Sequence, residues 1–218
     1  MNYFTIDWYK EMQVYGFLTF PENREDWEEK IAYYKSEGID YKANFQREIE
    51  ERKEVLLRFL PASFHPYIHD YSIRAEYPTP ELREMGKQWE EDYRRRMENL
   101  WREYNEKYQG TKHLLPHNAI QIHEKSLHDA KVKEFEVPAK DTLILTLDCS
   151  GGFHYFSDIR LTFTGVTVLH IPEKWKGAWW LYNEIYATDR GFELHVLFDC
   201  PLTEWKIVAE NVQIETVK

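Results

Sequence analysis

Residues 158–165 read DIRLTFTG, and their alternation decides the fold. Ile159, Leu161 and Phe163 fall on one side of an extended chain, and Asp158, Arg160 and Thr162 on the other. That is the period of two expected of a strand with one dry face and one wet face. On either side, TLILTLDC (142–149) and GFELHVLFDC (191–200) repeat the pattern, the latter with Phe192, Leu194, Val196 and Phe198 inward. VTVLHI (166–171) and EWKIVAENVQIE (204–215) are also β-rich, and turn signals at Gly151-Gly152, Gly165 and Asp189-Arg190-Gly191 separate the runs. Alternation of this kind suits an antiparallel sheet better than a parallel one buried on both faces.

Upstream the period is helical. Phe4, Trp8, Met12 and Tyr15 make one stripe, and Trp27, Ile31 and Tyr34 make another between a capping Asn23 and a terminating Gly38. Asp40 caps a third helix with Phe45, Ile49, Leu56 and Phe59 inward, interrupted at Arg52 and stopped by Pro61. TPELREMGKQWEEDY (79–93) opens the longest: Thr79 offers a cap oxygen and Pro80 occupies the first helical position, where it needs no N–H. Leu82, Met85, Trp89, Tyr93, Leu100 and Tyr104 continue its apolar face toward Gly110. The expected architecture is α+β, a helical region over 1–115 followed by an antiparallel β region over 123–218.

Composition narrows the function. Aromatic residues make up 16% of the 218, enough for a substantial core, and the net charge is −10 with neither half basic. The positive field that nucleic acid requires is missing, and Arg94-Arg95-Arg96 follows Glu90, Glu91 and Asp92 with only Tyr93 between, as on a self-paired helix face. No signal peptide or membrane span is recognisable, and two cysteines do not make a disulfide framework. A cytoplasmic location follows as the expectation, with no nucleic-acid or membrane partner and no cofactor.

Two histidine-rich stretches raise the question of metal chemistry: FHPYIHD (64–70) and HLLPHNAIQIHEKSLHD (113–129). His65, His69 and Asp70 form one candidate ligand group, and His113, His117, His123, His128 and Asp129 the other. His113 and His117 have the spacing of one helical face, but Pro116 disfavours helix at Leu115, and no Cys-x-x-Cys or His-Glu-x-x-His is present. His69-Asp70 resembles the His-Asp pair of HD-type metal phosphohydrolases in that dipeptide alone. Those enzymes are all-helical with further ligands far from the pair, whereas His65 lies close and β structure follows. Ser150-Gly151-Gly152 lacks the Gly-x-Ser-x-Gly elbow, and GTKHLL (110–115) lacks P-loop spacing. Cys149 and Cys200 each follow an aspartate, which raises a thiol pKa. In WKGAWWLY (175–182), Trp175, Trp179 and Trp180 form a candidate ligand or interface surface, although core packing is the plainer reading. At least two of Trp175, Trp179, Trp180 and Trp205 are expected to be buried, packed against the helical region.

FTIDWYKEMQVYGFLTFPE (4–22), SLHDAKV (126–132) and the tail GAWWLYNEIY…GFELHVLFD…EWKIVAENV resemble a bacterial, mainly Gram-positive family of about this length, a domain of unknown function. The resemblance implies no activity and no site residues. The C-terminal half also resembles small immunity-type β modules that open with LHDA or LHDS, where Leu127-His128-Asp129 would begin a strand. The expected role is a non-enzymatic, immunity-like protein that binds a protein partner. The alternatives are a hydrolase using the His/Asp residues and a small-ligand binder using the tryptophan-rich strand.

Overall fold

Ile159, Leu161 and Phe163 lie in a strand and are fully buried, paired to strands on both sides. The computed structural model describes residues 1–217. Among them are seven α-helices followed by eight strands, so the fold is α+β, helical first and antiparallel β after.

The helices are α1 (Ile6–Phe17), α2 (Arg24–Ser36), α3 (Tyr41–Phe59), α4 (His65–His69), α5 (Ser72–Ala75), α6 (Pro80–Thr111) and α7 (His117–Glu124). Their beginnings are set locally. Asn23 Oδ1 accepts from Asp26 N, Asp40 Oδ1 from Lys42 N and Ala43 N, and Thr79 Oγ1 from Leu82 N. Helix α6 runs one residue past Gly110, and the Thr111 hydroxyl donates back to the Lys107 carbonyl at 3.0 Å. At 1.5 Å per residue its 32 residues span about 48 Å. The gap at Arg52 is filled by its guanidinium, 5.5 Å from the Phe17 ring centre.

The strands are β1 (Lys131–Ala139), β2 (Thr142–Asp148), β3 (Ile159–Thr164), β4 (Val168–His170), β5 (Trp179–Thr188), β6 (Gly191–Asp199), β7 (Thr203–Ala209) and β8 (Asn211–Thr216). Their order is β4-β7-β6-β5-β1-β2-β3-β8. β1 and β5 share one ladder pair, Lys131 with Trp179, supported by Asp129, Ala130 and Val132 bonding the backbone of Ala178 and Trp180. The β5–β6 hairpin closes at Gly191, where a Cβ would lie 2.3 Å from the Ala209 carbonyl, so only glycine fits that approach.

By packing, the described residues divide into two compact units, one of residues 1–8 with those from 100 onward and one of residues 9–99. Each has its own core. Phe163, Phe192, Phe198, Trp175, Trp180 and Trp205 lead the first, with Ala119 and Ile122 of α7 in the same cluster. Ile49, Leu56, Phe64, Ile68, Leu82 and Trp89 lead the second. Trp175, Trp180 and Trp205 are thus buried, as side-chain size suggests, within a core built mainly of strands.

Candidate functional site

The first unit contains a cleft of about 260 Å³, lined by Phe4, Trp101, His123, Ser126, His128, Leu181, Tyr182 and Asn183. Three segments far apart in sequence build it: the approach to α1, the stretch from the C-terminal part of α6 through α7 and its link to β1, and β5. Trp101 follows Leu100 on α6, off the buried stripe, and is 44% exposed. Its ring centre lies 4.4 Å from that of Phe4. Tyr182 stands perpendicular to Trp8 at 4.7 Å and to His128 at 5.5 Å.

Phe4 is fixed by an unusual anchor. Glu184 on β5 is fully buried, and its carboxylate accepts from the backbone N–H of Asn2, Tyr3 and Phe4 at 2.7–2.8 Å and from the Tyr186 hydroxyl at 2.6 Å. A buried carboxylate is tolerated only when its lone pairs are met in this way. Burial, the Glu184 bond and its charge push the Tyr186 phenol far above its ordinary pKa.

His123 is held neutral. Its Nδ1 lies 3.3 Å from the Tyr104 hydroxyl and 3.4 Å from Asn183 Nδ2. Tyr104 accepts from Ile185 N at 3.0 Å, leaving its proton for His123, and Trp180 Nε1 orients Asn183 by donating to Oδ1 at 3.2 Å. With Nδ1 an acceptor, the proton of the neutral ring sits on Nε2. Burial lowers the pKa of His123, against a smaller opposite pull from Glu124.

His128 and Asp129 stand at the start of the sheet. His128 N bonds Ser126 Oγ, and Asp129, with a left-handed φ of 69°, donates its N–H to the Trp180 carbonyl at 2.9 Å. His128 Nδ1 lies 3.0 Å from Asp129 Oδ1, but not in hydrogen-bonding alignment. Tyr182 feels the Asp129 charge, which adds to burial in raising its pKa.

The other candidates lie apart from the cleft. His113 and His117 are exposed; a 3₁₀ turn covers 112–114, and Pro116 caps α7, so no single helix carries both. His65, His69 and Asp70 belong to the other unit. His65 Nε2 contacts the Leu60 carbonyl at 3.3 Å, and Asp70 Oδ1 takes the N–H and hydroxyl of Ser72. Among the described residues, no three His, Cys, Asp or Glu side chains come together to hold a metal ion. Trp175 and Trp180 are core, and Trp179 is half-buried with the Lys131 ammonium 4.0 Å from its ring centre. Two of the cleft's histidines were visible as candidates in the sequence. Phe4, Trp101, Tyr182 and Asn183 were not, although an aromatic beside the buried stripe of α6 was a usable signal at Trp101.

No helix is long and apolar enough to cross a membrane among the described residues. A search of curated proteins gives no match. The family model described as Protein of unknown function (DUF4085) matches residues 3–209, which include every residue of the cleft, and the chain belongs to that family.

Proposed function

We propose that the protein is a non-enzymatic binding protein of the bacterial cytoplasm, immunity-like in role, and that the cleft receives a basic side chain from a protein partner. The observation that carries this is the grouping of the Phe4, Trp101 and Tyr182 rings at one cleft with the Asp129 carboxylate beside Tyr182. Aromatic faces attract cations, by about 0.5–2 kcal/mol depending on desolvation, and arginine stacks on them as well. A volume of about 260 Å³ suits one side chain better than a cofactor. The −10 net charge adds long-range attraction for a basic partner. Burial lowers the pKa of His123, so the imidazole adds no positive charge to repel a cation.

The test is selection from a random peptide display library on the wild-type protein, with excess Trp101→Ala protein in solution as competitor. Enriched peptides should carry arginine or lysine beside an apolar residue and bind more weakly as salt rises. Enrichment of acidic or neutral peptides, or equal binding to Trp101→Ala, would refute the proposal.

A further inference from the structure

The second unit holds a larger groove, about 470 Å³, that the cleft's proposed role does not use. Tyr15, Leu18, Thr19 and Phe20 form one wall, and Arg83, Gly86, Lys87, Trp89 and Glu90 of α6 the other. Gly86 is what lets the walls meet. A Cβ there would lie 2.6 Å from Phe20 Cε2, so the Phe20 ring rests on the bare helix backbone.

Arg83 is pinned at the edge of this groove. Its Nη1 donates to the Pro21 carbonyl at 2.7 Å, and its guanidinium carbon lies 4.8 Å from the Tyr77 ring centre. Its Nη2 is buried and meets no acceptor of the chain. Buried donors are nearly always paired, so this guanidinium lacks one acceptor. Lys87 follows one turn later on the same helix face and is exposed. The acid in the lining is already engaged: Glu90 Oε1 accepts from the Tyr15 hydroxyl at 3.1 Å and from Arg94 at 3.4 Å. Glu84, one residue beyond Arg83, accepts from Gln88 at 2.8 Å.

We infer that this groove binds a small organic anion, its carboxylate or phosphate head at Arg83 and Lys87 and its apolar body against Leu18, Phe20 and Trp89. Guanidinium and ammonium groups attract such heads, and half-buried Arg83 and exposed Lys87 both line the groove. The apolar walls require a body, so an inorganic anion alone meets only half of the site.

The test titrates the full chain, ¹⁵N-labelled, with benzoate, phenyl phosphate, inorganic phosphate and benzylamine, following backbone amide shifts. Benzoate or phenyl phosphate should shift Thr19, Phe20, Gly86 and Lys87 saturably; whichever binds more tightly identifies the head group. Inorganic phosphate should bind at least about tenfold more weakly, and benzylamine not at all. Arg83→Lys, which keeps the charge but loses the planar fork, should weaken binding about tenfold, and the exposed Lys87→Gln about threefold. If Arg83→Lys fails to fold, the wild-type shifts together with Lys87→Gln decide the question. No saturable shift from either aromatic anion, equal binding of benzylamine, or an unchanged affinity in Lys87→Gln would overturn the inference.

Discussion

Glu184 shows how much one residue can hold in this chain. Its carboxylate is fully buried and satisfies three backbone N–H groups and a phenol. Glu184→Ala is expected to cost about 3 kcal/mol in urea unfolding, because each buried donor left unpaired costs on the order of 1–3 kcal/mol and part of the loss relaxes as residues 2–4 detach. His123 contributes a pH dependence. Its folded pKa lies below the unfolded value of about 6.5, so the unfolded chain binds the proton more readily. The stability it contributes is complete above about pH 6.5 and is lost as pH falls toward the folded pKa, with a slope of at most about 1.4 kcal/mol per pH unit. Between pH 7 and 5.5, unfolding free energy should fall less steeply in His123→Phe than in wild type, and parallel slopes would refute the assignment. Both cysteines are free, but they differ in access: Cys149 is buried and Cys200 exposed. Burial, reinforced by Asp148 and Asp158, pushes the Cys149 thiol up to about 11. Iodoacetamide at pH 8 should therefore modify Cys200 in the native protein and reach Cys149 only after unfolding, as intact-mass measurement would reveal.

Elements were legible where their causes are local. The caps at Asn23, Asp40 and Thr79 bond within two or three residues, so the local sequence alone locates them. Thr79→Ala should cost about 1 kcal/mol, read from the urea midpoint, while Thr79→Ser should cost little. The alternation of β3 was equally readable because burial on a half-covered sheet repeats every second residue, whereas in β6 residues 194–198 are all buried, so the wet face expected of that strand is covered. The cleft escaped for the opposite reason. Phe4, Trp101 and Tyr182 meet only after α6 and β5 have folded, and no spacing in a sequence encodes a distance between separate elements. The histidines illustrate this from the other side. The proximity of His113, His117 and His123 along the chain raised the question of one site, which Pro116 argued against; Pro116 does start a new helix between the first two, and of the three only His123 lines the cleft. Helix α2 adds a smaller lesson: its stripe of Trp27, Ile31 and Tyr34 was readable, but none of its residues is fully buried, and Trp27 and Tyr34 pack on the Phe45 ring at 6.1 and 5.5 Å.

The two periods of the sequence distinguish helix from strand, whereas packing divides the molecule elsewhere. Residues 100–124 are helical or close to it, yet Tyr108, Ala119 and Ile122 belong to the same core as Phe163 and Trp205. The core led by Leu56 and Ile49 shares no member with it. Cavity costs are local when two sites share no partners, so substitutions in separate cores should act separately. Trp205 is 1% exposed and packs at 5.1–6.2 Å against Trp175, Phe163 and Phe198. Trp205→Ala should therefore lower the opening free energy of amides in β2, β3, β6 and β7 by about 3–5 kcal/mol. Leu56→Ala, at a site with no exposure, should lower that of α3 and α4 by about 2–5 kcal/mol. Native-state hydrogen exchange read by mass spectrometry resolves both sets of amides in one experiment. If each substitution weakens protection only in its own unit, the cores are separate cooperative units. If Trp205→Ala weakens α3 as much as β6, the chain unfolds as one unit and the division by packing has no thermodynamic counterpart.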